Sequence, residues 1–111
     1  MKVKGIKASS LADSLADVYR EWEDTFGFGP CGAYAALKRE QGWGDVAVCT
    51  ADDGTEYGFT HYVIIQDGWI VDLANPLDAE LDYSDVEVLD ADEMPELVDA
   101  AAIEWLRERG V

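Results

Sequence analysis

The segment 61–73 constrains the fold of this chain most, because it is typical of a single β-hairpin with a fixed register. The pair Asp67-Gly68 separates two β-rich runs, and Asp-Gly in that setting predicts a two-residue type I′ turn. With this turn, Gln66 faces Trp69 and Ile64 faces Val71. Because side chains alternate along a strand, His61 and Asp72 are predicted to share one face as diagonal neighbours. A slip of one residue would place them on opposite faces.

Cys31 is the second informative residue. It stands between Pro30 and Gly32, directly ahead of a helix-forming run that Gly42 ends. A helix N-terminus carries partial positive charge and free backbone N–H groups, which favour a thiolate and would hold the oxyanion of a tetrahedral intermediate. His61 is the only histidine in the chain, so any Cys–His chemistry must use it.

Cys31, His61 and Asp72 together fit the roles of nucleophile, base and orienting carboxylate. Taken singly, each has a plainer explanation. A free cysteine is commonly a small buried hydrophobe, a lone histidine is commonly structural, and an aspartate before a turn commonly stabilises that turn. Their joint order and placement favour the catalytic interpretation.

Two stretches of the chain carry a resemblance to a known group. The sequence Gly-Pro-Cys-Gly-Ala-Tyr-Ala-Ala-Leu-Lys, followed by His-Tyr-Val-Ile-Ile-Gln-Asp-Gly-Trp-Ile-Val-Asp-Leu, resembles the compact papain-like fold of transglutaminase-like and NlpC/P60-like proteins, especially small bacterial and phage-type members. The resemblance covers residues 27–76. It implies that Cys31 is the nucleophile, His61 the general base and acid, and Asp72 the orienter. Papain-type enzymes place an oxyanion-hole glutamine six residues before the cysteine, where this chain has Thr25.

These observations are compatible with two kinds of function, an enzyme and a binding protein. The first is a cysteine hydrolase or acyltransferase that forms a thioester on Cys31 from a peptide or other amide substrate; water then gives hydrolysis and an amine gives acyl transfer. The second is a catalytically inactive binding protein on the same scaffold. It is motivated by the missing glutamine, for which Trp22 or Gln41 would have to substitute. Such a protein would use an acidic face to engage a basic protein, as a nucleic-acid mimic or an inhibitor.

Three aromatic residues are candidates for substrate contact: Trp43, Tyr62 and Trp69. Aromatic residues at such positions are also typical of a core. No cofactor and no metal ion is expected, because Cys31, Cys49, His61 and Asp72 contain no close-spaced pair of the Cys-x-x-Cys type. A Cys31–Cys49 disulfide is the remaining alternative for the two cysteines, and a cytoplasmic setting disfavours it.

The charge of the chain limits its partners. The net charge is −16, and residues 78–104 contain eleven acidic residues and no Lys or Arg. Nucleic acid and anionic membranes are therefore not expected as partners, since both need basic patches. Such a surface is typical of solvation, and it would also attract a cationic substrate or a basic protein. With no long apolar run and no signal-peptide pattern, a cytoplasmic location is expected.

The pattern along the chain predicts one α+β domain over residues 1–111. Its N-terminal helices, one headed by Cys31, would pack on a small antiparallel β-sheet, followed by a C-terminal helix, as in a compact papain-like core. Strands are predicted at 2–7, 46–49 and 86–89 in addition to the hairpin, and helices from 9–10, over 31–41 and over 92–109. Ser10 and Asp13 would form a capping pair, and Leu97, Ala101 and Trp105 would pack inward.

Overall fold

The hairpin is part of a larger sheet in the computed structural model, which describes residues 3–55 and 58–111. The elements follow one another as β1 (Gly5–Ser9), α1 (Asp13–Phe26), α2 (Cys31–Glu40), β2 (Asp45–Asp52), β3 (Gly58–Gln66), β4 (Trp69–Asp72), β5 (Asp82–Val88) and α3 (Ala100–Glu108). The predicted α+β class is confirmed. Lys2, in the predicted first strand, lies outside the described residues. In the described part of the chain, no helix combines the length and the apolar character needed to cross a bilayer.

The sheet is mixed rather than antiparallel, which corrects one part of the prediction. Its strand order is β1-β4-β3-β2-β5. The pairs β4–β3, β3–β2 and β2–β5 are antiparallel, but β1 runs parallel to β4, with Ser9 opposite Asp72. Parallel neighbours need a long connection, and here two helices and two strands separate β1 from β4. The local sequence pattern of β1 therefore does not indicate that it pairs with β4, which lies far along the chain.

α1 begins at Asp13, and the predicted capping pair of Ser10 and Asp13 is wrong. The N-cap is Ala12, which provides no side-chain cap. The preceding backbone is already paired with the end of the hairpin, because the Ser10 N–H donates to the Asp72 carbonyl at 2.9 Å and the Ala12 N–H to the Leu73 carbonyl at 3.0 Å. This pairing extends the contact between β1 and β4 and delays the helix.

The last helix is shorter than predicted. Asp99 is its N-cap and Ala100 its first residue. Leu97 has a φ of 66°, a left-handed conformation that cannot continue a right-handed helix. Its side chain is 72 % exposed, contrary to the prediction that it packs inward. Ala101 is also exposed, whereas Trp105 packs against the helical core as predicted.

The sheet is curled so strongly that its two edge strands meet. In a flat sheet β1 and β5 would be about 19 Å apart, which is four strand spacings of about 4.8 Å. The Ser9 hydroxyl of β1 nevertheless lies 2.8 Å from the Tyr83 hydroxyl of β5. One face of the sheet carries a buried cluster that β5 covers, formed by Ala47, Cys49, Val63, Ile65 and Ile70. The opposite face packs on Ala35 of α2. His61 and Asp72 lie on the face that β5 covers.

The outer edge of the sheet holds part of the acidic run. Asp82, Asp85 and Glu87 of β5 are all exposed. Charged side chains on an edge strand discourage its pairing with another chain. This position gives the acidic residues a structural role that needs no partner.

The turn from α2 into β2 depends on Gly44. Its φ of 151° is one that side chains rarely adopt, and an added Cβ would collide with the Ile65 carbonyl oxygen. We expect Gly44→Ala to lower the free energy of unfolding by about 3 kcal/mol or more, from strain and collision together. Gly42→Ala is the matched control, since Gly42 has a φ of 83° but faces open space, and it should cost about 1 kcal/mol. Guanidinium unfolding measures the stability of both variants. Equal unfolding midpoints for Gly44→Ala and Gly42→Ala would contradict the prediction.

Candidate active site

The hairpin forms with the predicted register. β3 and β4 pair Gln66 with Trp69, Ile65 with Ile70 and Ile64 with Val71. The turn residues Asp67 and Gly68 have φ values of 53° and 84°, as a type I′ turn requires. His61 and Asp72 consequently project from the same face, and His61 Nε2 lies 2.8 Å from Asp72 Oδ2. Each residue is only 1 % exposed. The predicted placement of His61 beside Asp72 is confirmed.

The Asp72 carboxylate is surrounded by donors. Oδ1 accepts the Ala74 N–H at 3.0 Å, and Oδ2 accepts the Tyr83 O–H at 2.6 Å as well as binding His61. A buried charge needs such partners, because an unpaired carboxylate loses its hydration without compensation. Sequence reasoning missed Tyr83. It lies on β5, which is not a neighbour of β4, so no local spacing relates the two residues.

His61 carries a proton at neutral pH. Burial is the largest single influence and lowers the pKa of His61. Hydrogen bonds with Asp72 and Cys31, together with the charges of these two groups, outweigh burial and raise the pKa from 6.5 to about 9. Since Asp72 occupies Nε2, Nδ1 is left to interact with the Cys31 sulfur. The site therefore places an imidazolium beside the thiol at pH 7, which is the setting that stabilises a thiolate.

Cys31 is the first residue of α2 and is partly exposed. The first bond of the helix runs from the Tyr34 N–H to the Pro30 carbonyl at 2.9 Å. The N–H groups of residues 31–33 therefore precede the hydrogen-bonded turns and are free of intrahelical partners. They direct the positive end of the helix dipole toward the thiol.

Two surface cavities flank Cys31. The first, here named the Leu97 cavity, has a volume of about 190 Å³ and is lined by Phe28, Tyr62, Glu96, Leu97 and Val98. The second, the His61 cavity, has a volume of about 200 Å³ and is lined by Tyr19, Phe59, His61, Ala74 and Pro76. Gly29, Cys31 and Thr60 line both cavities. The thiol is thus reachable from two sides, and the imidazole lines one of them.

Of the three aromatic residues predicted to contact substrate, Tyr62 lies beside Cys31. It lines the Leu97 cavity, and its hydroxyl accepts the Glu96 N–H at 3.0 Å. The other two predicted residues lie elsewhere. Trp43 belongs to a separate depression, where the Lys38 ammonium lies 5.0 Å from its ring centroid. Trp69 is 38 % exposed on β4, with its ring against Gly5. The structure does not bring either tryptophan to Cys31.

None of the residues considered for the place of the missing glutamine is directed at Cys31. Thr25 is exposed, and its hydroxyl donates to the Glu21 carbonyl at 2.7 Å. Trp22 is buried in the helical core. Gln41 is exposed and accepts from the Lys38 ammonium at 3.1 Å. None of these three residues therefore takes the place of the missing glutamine.

Tyr19 of α1 is the side chain that reaches the site. It lines the His61 cavity together with Cys31. Burial, then the charges of Glu23 and Cys31, raise the pKa of Tyr19 to about 12, so the phenol stays protonated and is a hydrogen-bond donor. Tyr19 could not be predicted from the sequence, because the helical spacing of apolar residues along α1 identifies the neighbours of Tyr19 and gives no role to a polar aromatic residue.

Cys49 has a different character from Cys31, although both are free thiols. It is buried, and its Sγ lies 3.6 Å from the His61 carbonyl oxygen, to which it donates. Burial, then the charges of Asp72 and Cys31, raise its pKa to about 12. Cys49 is therefore protonated and inert at neutral pH. Within residues 3–55 and 58–111, no three His, Cys, Asp or Glu side chains are grouped as metal ligands.

By fold and site, the chain is an α+β protein with a partly exposed cysteine at a helix N-terminus, beside a buried His–Asp pair. No protein-family model, curated protein or solved structure matches it.

Proposed function

We propose that the protein is a cysteine-nucleophile enzyme that transfers an acyl group from an amide or related substrate through a thioester on Cys31. One observation carries the proposal: the helix-terminal Cys31 lines the same cavity as His61, whose Nε2 is held 2.8 Å from the buried Asp72 carboxylate. Nucleophile, base and orienter in this order are what covalent acyl transfer needs. The resemblance to papain-like hydrolases points to the same chemistry.

In the first half-reaction the Cys31 thiolate attacks the substrate carbonyl and forms a C–S bond. The carbonyl oxygen becomes an oxyanion, which the free backbone N–H groups at the start of α2 and the Tyr19 hydroxyl stabilise. His61 then gives its proton to the leaving amine, and the C–N bond breaks. A thioester on Cys31 and a neutral imidazole remain. Asp72 holds the ring in place through Nε2 during the transfer.

In the second half-reaction water or an amine attacks the thioester. Neutral His61 takes the proton of the attacking group, the C–S bond breaks, and the thiolate–imidazolium pair is restored. Water yields a carboxylic acid, and an amine yields a new amide. Both outcomes use the same residues.

The two cavities suit the two parts of the substrate, the leaving amine and the acyl group. Because His61 must reach the leaving amine, that amine occupies the His61 cavity. The acyl group then extends into the Leu97 cavity, where Phe28, Leu97 and Val98 offer an apolar wall. Glu96 lines the same cavity and would repel a carboxylate. The favoured acyl side chain is therefore apolar or cationic rather than acidic.

Alkylation of Cys31 by iodoacetamide as a function of pH tests the activated thiol. An ordinary thiol, with a pKa near 8.5, is less than about 1 % thiolate at pH 6. We expect native Cys31 to react at pH 6 about 30-fold faster than the same residue in the urea-unfolded chain. Peptide mass spectrometry measures the alkylation of Cys31 and of Cys49 separately. In His61→Gln, Cys31 of the folded protein should react no faster than Cys31 of the unfolded chain. A native Cys31 that reacts no faster than the unfolded one would contradict the proposal.

Acylation by p-nitrophenyl acetate connects the reactive thiol with acyl transfer. Attack by Cys31 releases p-nitrophenolate and leaves one acetyl group on the sulfur, which the intact mass of the protein shows. Cys31→Ala should abolish the acetylation, and Cys49→Ala should not. A reactive thiol that is never acetylated would argue against acyl transfer while leaving the thiolate pair in place.

The alternative function is an inactive binding protein that engages a basic partner. The observation in its favour is the exposed acidic row of Asp82, Asp85 and Glu87 on β5. An unreactive Cys31 in the alkylation experiment would make this the leading interpretation. Edge protection explains the same row without a partner, so the enzyme is the preferred proposal.

A further inference from the structure

The Asp72 carboxylate is held by a strand that is not its neighbour in the sheet. Tyr83 of β5 places its hydroxyl 2.6 Å from Asp72 Oδ2, a distance typical of a charge-assisted O–H···O⁻ bond. The same oxygen binds His61 Nε2 at 2.8 Å. Tyr83 and His61 therefore share one carboxylate oxygen, and each hydrogen bond affects the charge available to the other.

Ser9 of β1 fixes the direction of the Tyr83 hydrogen bond. Its Oγ lies 2.8 Å from the Tyr83 hydroxyl. A phenol has one proton, and Tyr83 gives it to Asp72, so Ser9 must donate to the Tyr83 oxygen. Ser9 Oγ in turn accepts from Asn75 Nδ2 at 3.0 Å. Three successive donors, Asn75, Ser9 and Tyr83, thus point toward the Asp72 carboxylate.

In the described part of the chain, titratable side chains from four elements lie around the His61–Asp72 pair. They are Cys31 of α2 and Tyr19 of α1, which line the His61 cavity, Cys49 of β2, and Tyr83 of β5. Burial, then the hydrogen bond to Asp72, raise the pKa of Tyr83 well above its ordinary value. Tyr83 therefore remains a donor throughout the pH range in which His61 titrates.

We propose that Tyr83, supported by Ser9, is a positioning residue that lowers the proton affinity of the His61–Asp72 pair and thereby sets the pH range in which His61 releases its proton. A donor to the carboxylate stabilises the deprotonated, negatively charged pair more than the protonated, neutral one. Without Tyr83, the charge on Oδ2 is left to His61 alone, and the proton is held more tightly. Only the consequence for Cys31 chemistry rests on the proposed function, because the effect on His61 does not need it.

Titration of His61 by NMR tests this directly, since it is the only histidine in the chain. Its ring proton signals follow the protonation of the pair with no overlap from other histidines. We expect Tyr83→Phe, which removes one hydroxyl, to raise the titration midpoint by about half a pH unit to one unit. Ser9→Ala removes the donor behind Tyr83 and should raise the midpoint by a smaller amount.

Tyr34→Phe is the matched control. Tyr34 lies on α2, is 4 % exposed and, among the described residues, makes no hydrogen bond to His61 or Asp72. The variant loses the same hydroxyl group from a tyrosine that is at least as buried as Tyr83, so its His61 midpoint should equal that of the wild type. A purely structural role of Tyr83 would lower the thermal midpoint of unfolding without moving the His61 titration.

The outcomes separate this inference from the proposed function. An unchanged His61 midpoint in folded Tyr83→Phe, or a lowered one, overturns the inference whatever Cys31 does. Should Tyr83→Phe not fold, Ser9→Ala carries the same test, and an unchanged midpoint there overturns it equally. A raised midpoint together with an unreactive Cys31 in the wild type supports the inference and contradicts the enzyme proposal.

Discussion

Asp72→Asn is expected to reduce the alkylation rate of Cys31 at pH 6 by about 30-fold, which is the whole advantage of the native residue over the unfolded one. It should also lower the free energy of unfolding at that pH by about 3 kcal/mol. The hydrogen bonds and charge of Asp72 are among the causes that raise the pKa of His61. An asparagine keeps the shape of the side chain but leaves the buried imidazole without a charge partner. His61 then loses its proton, and Cys31 loses the imidazolium beside it.

Asp82→Asn is the control for this prediction, because it removes the same charge from an exposed position on β5. It should leave the alkylation rate of Cys31 unchanged. It should change the free energy of unfolding by no more than about 0.5 kcal/mol. The measurements are peptide-resolved alkylation and urea unfolding at pH 6. If both variants lose reactivity equally, the overall charge of the protein controls Cys31, and the role of the His–Asp pair is refuted.

The stability of the folded Cys31→Ala variant should decrease between pH 6.5 and pH 9. In the wild type the proton that the Cys31 thiolate would take up on unfolding offsets the one that His61 releases, and this variant removes that offset. The pKa of His61 is raised from 6.5 to about 9 on folding. A raised pKa contributes stability that is complete below the unfolded value and is lost as the pH rises through the folded value. The expected loss is at most about 3 kcal/mol, from about 1.4 kcal/mol for each unit of pKa difference, because the part of the shift that Cys31 causes is absent from this variant. Above about pH 8.5 the unfolded Cys49 thiol also ionises and extends the same trend.

The double variant His61→Gln with Asp72→Asn tests the origin of this pH dependence. It replaces both buried charges by neutral side chains of similar size, so neither is left unpaired. Its stability should be nearly constant between pH 6.5 and pH 8.5. Urea unfolding at several pH values gives the free energies of the double variant and its parent, both in the Cys31→Ala background. A parent whose stability rises over this range would show that the sign is wrong.

The site could be predicted from sequence only as far as its contacts are local. His61 and Asp72 are 11 residues apart and belong to one hairpin, so a turn of known geometry fixes their relation. Cys31 could be placed at the start of a helix because Pro30 and the following run mark that boundary. Neither signal depends on the rest of the fold.

Tyr83 and Ser9 could not be predicted, because their position depends on the curl of the whole sheet. β5 pairs with β2 across an irregularity between Val48 and Thr50, and such a shift changes which side chains face inward. The prediction of where α3 starts was wrong for a related reason. The left-handed Leu97 follows Glu96, whose N–H donates to the Tyr62 hydroxyl at 3.0 Å, and the helical pattern of the sequence does not reveal this tertiary contact.

The meeting of the two edge strands also orders the events of folding. Ser9 and Tyr83 are 74 residues apart in the chain, and contacts between distant residues generally form after local ones because a long loop must first be closed. The hairpin contact between His61 and Asp72 spans only 11 residues, so these two side chains can meet before Tyr83 and Ser9 are joined. The His61–Asp72 pair thus acquires all of its hydrogen-bond donors only when both ends of the sheet have come together. A partly folded chain, in which β1 and β5 are still apart, has the pair but not the two hydroxyl groups that complete its surroundings.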